Sequence, residues 1–180
     1  LQGKTSNQKK EDFYLLVGRF VPYKKIDLAV EAFNKTGLKL KIVGSGRGER
    51  VLKTKSKSNI EFLTGLSDES LSDLYQRSKA LIFPGIEDFG LAMVEAQSLG
   101  TPVIAFRGGG AVEIVKEGQT GEFFDDVIPE SLISTLKRFD NKSYNSEDSI
   151  KNAERFTLDK FKKRFSAQVL EKYIEYQSSL

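Results

Sequence analysis

Neither cysteine nor histidine occurs among the 180 residues of this chain. Without cysteine there is no disulfide and no thiolate metal site, and without histidine the commonest general base and the commonest transition-metal ligand are missing. Zinc hydrolases and Ser-His-Asp hydrolases are thereby excluded. No run of about twenty apolar residues is present and no basic-then-apolar leader opens the chain, so a membrane span and secretion are not expected, and the default location is cytoplasmic. Charge of neither sign is in large excess: 28 basic residues face 25 acidic ones. That balance does not nominate nucleic acid as a partner. The only methionine is Met93 and the chain starts at Leu1, so a piece of a longer protein is expected. Residues 1–12, polar from Gln2 to Asp12, then read as a linker from a missing amino-terminal domain.

What the sequence does have is alternation. Phe13–Val17 is a short continuous apolar run, as expected of a strand buried on both faces. Ile26, Leu28, Ala29, Ala32 and Phe33 follow at helical spacing up to Gly37, a helix stop. Strands are predicted next at Leu38–Val43, Ile60–Leu63, Ala80–Phe83, Val103–Phe106 and Glu122–Phe124. Helices are predicted at Arg47–Lys57, Asp68–Ser78 with Ser67 as its cap, Leu91–Leu99, Ala111–Val115 and Pro129–Phe139. This pattern predicts an α/β fold, a Rossmann-like doubly wound parallel sheet of about six strands with ligands at the carboxyl ends of the strands. Residues 13–140 form the binding domain in this reading and residues 141–180 a carboxy-terminal helical extension. Asp140–Ser149 reads as polar and turn-rich. Beyond it Phe161, Phe165, Val169 and Tyr173 step by four along a helix whose other faces carry Lys160, Lys162, Lys163 and Arg164.

Chemistry concentrates after the strand ending at Phe83. Pro84-Gly85 turns the chain, Glu87 precedes a helix opening near Gly90, and Glu95 lies within that helix. Free N–H groups at a helix start receive anions, and a carboxylate with two acceptor oxygens can take both hydroxyls of a ribose. A glutamate in the first turns of a helix also simply complements the helix dipole. Gly100-Thr101-Pro102 is a helix stop before a new buried strand, and Gly108-Gly109-Gly110 after that strand is a glycine turn opening another helix, so successive strand ends deliver loops to one edge of the sheet. Gly44 and Gly46 suit a tight strand-to-helix turn, and they lack the third glycine of a dinucleotide fingerprint.

Taken together, Gly18-Arg19-Phe20-Val21-Pro22-Tyr23-Lys24, Val43-Gly44-Ser45-Gly46, Asn59 to Gly65 with Ser67-Asp68-Glu69, the Glu87–Glu95 element and Gly118-Gln119-Thr120-Gly121 resemble the carboxy-terminal, donor-binding half of the GT-B retaining glycosyltransferases of group 1, also called family 4. The resemblance covers roughly Tyr14 to Asp125. It implies a retaining sugar transfer from a nucleotide sugar. In it Arg19 and Lys24 meet the donor diphosphate, Glu87 faces the donor sugar, and Glu95 holds the ribose. Backbone N–H groups of Gly90, Leu91 and Ala92 meet the distal phosphate, and Gly65 and Leu66 border the base. Lys25 stands where many relatives have glycine, and Asp88 replaces another frequent glycine.

The wording of these motifs is most similar to the mannosyltransferases that build O-antigen and other surface polysaccharides, which implies GDP-mannose as donor, with UDP sugars as the alternative, and no cofactor. With Arg19, Lys24 and a helix terminus supplying positive charge, no metal is demanded. The acceptor, a glycan or a lipid-linked glycan, would be met through the missing amino-terminal domain, and peripheral association with the inner face of a membrane is a further expectation. A non-catalytic nucleotide- or glycan-binding module is the alternative function. For the carboxy-terminal helix, packing on its own domain or across to the missing one is expected ahead of membrane attachment, because Glu171 and Glu175 oppose attraction to anionic lipid.

Overall fold

The computed structural model describes residues 9–178. Six parallel strands form one sheet: β1 (Tyr14–Val17), β2 (Leu40–Val43), β3 (Ile60–Leu63), β4 (Leu81–Phe83), β5 (Val103–Phe106) and β6 (Gly121–Phe124). Their spatial order is β3-β2-β1-β4-β5-β6. The chain therefore builds outward from β1 in one direction, then returns to its other side with β4. This reversal falls between β1 and β4, at the carboxyl ends of the strands, which is where open α/β sheets bind ligands. Leu15 pairs with Leu81 across it.

Alternation along the strands feeds two cores. Tyr14, Leu16, Ile42, Ile82, Ile104 and Phe124 face α1 (Ile26–Thr36), α2 (Glu49–Lys55) and α6 (Pro129–Asp140). Leu15, Leu81, Phe83, Val103 and Phe123 face α3 (Asp68–Arg77), α4 (Leu91–Ser98) and α5 (Ala111–Ile114). The doubly wound sheet expected from the sequence is thus present, with most elements within one or two residues of their expected bounds. Ser67 caps α3 by accepting from the N–H of Ser70 at 3.2 Å, and Gly37 ends α1 in the left-handed conformation.

Three regions differ from expectation or refine it. The turn-rich segment Asp140–Ser149 instead leads into a helix, α7 (Ser146–Ala153), capped by the Asn145 side chain, which accepts from the N–H of Glu147 at 2.9 Å. Its inward face is mostly polar: Ser149 and Asn152 are buried beside the small Ala153. Apolar periodicity could not reveal it. α7 packs on α4 and Phe156 beyond it packs against the second core, so the carboxy-terminal segment packs on the sheet as far as Phe156. The last helix, α8 (Leu158–Gln177), buries none of its residues. Packing of its apolar stripe on its own domain is therefore not found. Of the linker, residues 1–8 lie outside the described residues; Lys10 donates to Thr101 Oγ1 at 2.8 Å and Glu11 pairs with Arg77 at 2.7 Å, which ties this end to the domain. No helix among the described residues is long and apolar enough to cross a membrane.

Candidate functional site

The loop after β1 supplies the cations. It leaves the strand at Gly18, whose N–H donates to Val43 O at 3.0 Å, and the N–H of Phe20 donates to Ser45 O at 2.9 Å. The loop is thereby laid along the turn after β2. Such contact needs bare backbone: a Cβ on Gly44 would stand 1.9 Å from Gly18 O, and one on Gly46 2.8 Å from the Phe20 nitrogen. These two glycines therefore act as the tight strand-to-helix turn that the sequence offered. A 3-10 turn at Pro22–Lys24 follows, and Lys25 caps it with φ 51°, the sole positive φ of a non-glycine residue among those described. The left-handed turn that glycine would favour has been kept with a lysine in it, at a cost of about 1 to 2 kcal/mol.

The loop after β4 supplies the first carboxylate. Gly85 lets it slide against the β1 loop, since a Cβ there would meet Lys24 Cα and Tyr23 O at 2.7 Å. The consequence is an ion pair between Lys24 Nζ and Glu87 Oε1 that joins the two loops, both side chains mostly shielded. Burial first, and the charge of Arg19 second, hold the Lys24 ammonium below the usual lysine pKa; the facing Glu87 carboxylate favours its charged form. Phe83 and Tyr23 rings lie 5.6 and 5.7 Å from the ammonium. Arg19 itself is exposed.

Behind Glu87, the three-glycine turn after β5 is a backbone seat. The N–H of Gly110 donates to Glu87 O at 2.7 Å. A Cβ on Gly109 would stand 2.3 Å from Glu87 O, and one on Gly110 2.4 Å from Phe89 O. Gly90, with φ 84°, then turns the chain into α4. Among the described residues the N–H groups of Gly90, Leu91 and Ala92 have no hydrogen-bond partner, so three donors are left open at the start of α4.

Glu95, half-buried on α4, accepts a hydrogen bond at Oε2 from the hydroxyl of Tyr75 on α3, at 3.3 Å. Burial, and then the Glu95 charge, keep that phenol well above its usual pKa, so it remains a donor and orients the carboxylate. Sequence reasoning missed Tyr75. Tyr75 is buried on α3 with Leu74, and its polar tip reaches Glu95. Gly65 and Leu66 follow β3; Gly65 is exposed, and Leu66 lines an open hollow of about 400 Å³ with Leu63, Glu69, Ser70, Asp73 and Leu74. The structure thus joins Lys24 to Glu87 and brings the charge of Arg19 to bear on Lys24. Gly65, Leu66, Glu95 and the α4 start are placed along the same carboxyl edge without direct contact to that pair.

Over residues 1–156 the sequence matches the family described as glycosyl transferases group 1. The chain belongs to that family. Among relatives, a probable sucrose-phosphate synthase of Thermosipho melanesiensis is 30% identical over 167 residues, covering 84% of this chain and 39% of its own. An O-antigen chain mannosyltransferase C of Escherichia coli is 24% identical over 178 residues, covering 94% of this chain and 47% of its own. The structure of an apo lipopolysaccharide outer core galactosyltransferase superposes with a TM-score of 0.79 at 21% identity, covering 91% of this chain and 50% of that one. The fold is the Rossmann-like half of the GT-B enzymes. This group 1 glycosyltransferase chain spans half or less of the length of these relatives, and their sugars differ, so the likeness fixes the family and not the donor.

Proposed function

We propose that the carboxyl edge of the sheet, at the β1 and β4 loops, is the nucleotide-sugar site of a retaining sugar transferase, and that the chain is its donor-binding half. The pairing of Lys24 with Glu87 across the switch point carries this reading. A cation shielded from solvent, with the exposed Arg19 fork beside it, suits the two phosphates of a nucleoside diphosphate and the charge that grows on it as it leaves. The three unpaired N–H groups at the start of α4 suit the distal phosphate. Glu95, steadied by Tyr75, offers its other oxygen to a ribose, and the hollow beside Gly65 and Leu66 lies where a base would extend. Glu87 then faces the sugar once phosphate has taken over Lys24. In the transfer, these groups would stabilise a departing diphosphate and an oxocarbenium-like sugar.

The first donor to test is GDP-mannose, on the wording of Val21-Pro22-Tyr23-Lys24 and Glu87-Asp88-Phe89-Gly90, with UDP sugars next; a glycan or lipid-linked acceptor would enter from the part of the protein that lies outside this chain. The positive groups make no demand for a metal or cofactor. Thermal denaturation across a panel of nucleoside diphosphates and nucleotide sugars tests the reading. A ligand at a hundred times its dissociation constant adds about 2.7 kcal/mol of stability. At least one diphosphate should raise Tm clearly, and the rise should survive excess EDTA; no shift from any member at millimolar concentration would overturn the proposal.

A further inference from the structure

Glu87 has few holds of its own. Its loop makes the Gly110 backbone hydrogen bond and the Lys24 ion pair, and the next apolar side chain, Phe89, is half-exposed. The Phe89 ring nonetheless meets one partner, the edge of Phe156, with centroids 6.1 Å apart and planes at 80°. Phe156 closes a 3-10 turn, Glu154–Phe156, between α7 and α8. That turn is anchored from behind. The Arg155 guanidinium lies 5.1 Å from the Phe156 ring centroid and donates to Asn152 Oδ1 at 2.8 Å. Asn152, buried, donates through Nδ2 to Gln97 Oε1 and to Ile114 O, both at 2.6 Å. Gln97 sits on α4 two residues beyond Glu95. One chain of contacts thus runs from the ribose-side helix, through a buried amide pair, to a ring that leans on the Glu87 loop.

A buried amide pair is expensive to leave unsatisfied and so holds one geometry, and an edge-to-face aromatic contact is directional. From this we infer that Phe156 is a positioning residue: with Asn152 and Arg155 behind it, it fixes the Glu87 loop relative to Glu95, so that the sugar-facing and ribose-facing carboxylates hold a set spacing. The inference rests on the functional reading above for what the two carboxylates do, but the positioning can be measured without any ligand. The reporter is the N–H of Gly110, bonded to Glu87 O, with the N–H of Val103, which donates to Thr120 O within the sheet, as the internal standard.

Phe156→Leu keeps apolar packing and removes the aromatic edge. It should speed hydrogen exchange at Gly110 by about three- to tenfold relative to Val103, in line with the worth of one aromatic pair. Phe89→Leu should do the same, the double variant no more than either, and Phe156→Tyr should behave as wild type. Phe161→Ala, on the exposed α8, should change nothing. Unchanged Gly110 exchange in Phe156→Leu, or equal acceleration at Gly110 and Val103, would overturn the inference. In ligand titrations the same Phe156→Leu should weaken a nucleotide sugar about three- to tenfold more than its parent diphosphate. Faster Gly110 exchange with an unchanged ratio would leave the positioning intact and refute the sugar-facing role of Glu87 instead.

Discussion

The two halves of the sheet build the site by different means. The β3-β2-β1 half presents long cationic side chains from a loop held by main-chain hydrogen bonds to its neighbour, and it tolerates a lysine in a left-handed turn to do so. The β4-β5-β6 half presents carboxylates and free N–H groups from a loop seated directly on glycine backbone. The first half thus contributes cations, and the second contributes carboxylates together with open main-chain donors. The halves meet because Gly85 admits a backbone approach that no other residue would, and the Lys24–Glu87 pair is the result.

If charge on the first half does the binding, Arg19→Ala should weaken nucleoside diphosphate by about 1.5 to 3 kcal/mol, read by calorimetry, since a charge-assisted contact is lost. Lys24→Ala should act similarly and Lys25→Ala much less; a larger loss at Lys25 would break the assignment of that turn. Because the Lys24 pKa is held down, its positive charge, the form that binds an anion, disappears at a lower pH than that of an ordinary lysine. Affinity should therefore fall earlier on the alkaline side, and Lys24→Arg should abolish that early fall.

On the second half the test is shape. Gly110→Ala puts a Cβ 2.4 Å from Phe89 O and should cost about 1 to 3 kcal/mol of stability in denaturant unfolding, through overpacking. A neutral outcome would mean the seat is loose. Tyr75→Phe keeps the ring and removes the hydrogen bond to Glu95, so nucleotide affinity should drop by about 0.5 to 1.5 kcal/mol. The smallest effect should be a gain: Lys25→Gly relieves the left-handed turn and should raise stability by about 0.5 to 1 kcal/mol net of the added chain entropy. A loss there would show that the Lys25 stem packs in a way its exposure does not suggest.

The parallel sheet and its carboxyl edge were legible because strands such as Leu15-Leu16-Val17 and Leu81-Ile82-Phe83 are continuous apolar runs, and helices such as α1 carry clean periodicity ending at Gly37. α7 was not, since its buried face is Ser149, Asn152 and the small Ala153, and the partners of Asn152, Gln97 and Ile114 O, lie far away in sequence. The stripe on α8 was legible and yet finds no cover among the described residues; an apolar pattern states a need for burial without naming what meets it. Motif positions Arg19, Lys24, Glu87 and Glu95 could be picked out, but not the groups that steady them. Tyr75 and Phe156 act through side chains whose spacing says only core. The role of Gly109 and Gly110 as a seat, beyond that of a turn, depends on a neighbour more than twenty positions away.

The most direct test of a ribose-and-diphosphate site is the response of Glu95. Glu95→Gln retains shape, removes charge and turns one acceptor into a donor. Calorimetric titration of wild type and variant with the diphosphate that raises Tm most, and with its 2′,3′-dideoxy analogue, should show a loss of about 1 to 3 kcal/mol for the ribonucleotide and much less for the analogue, which never made the contact. Equal losses for both would show that Glu95 only supports α4, and would contradict the nucleotide site as assigned.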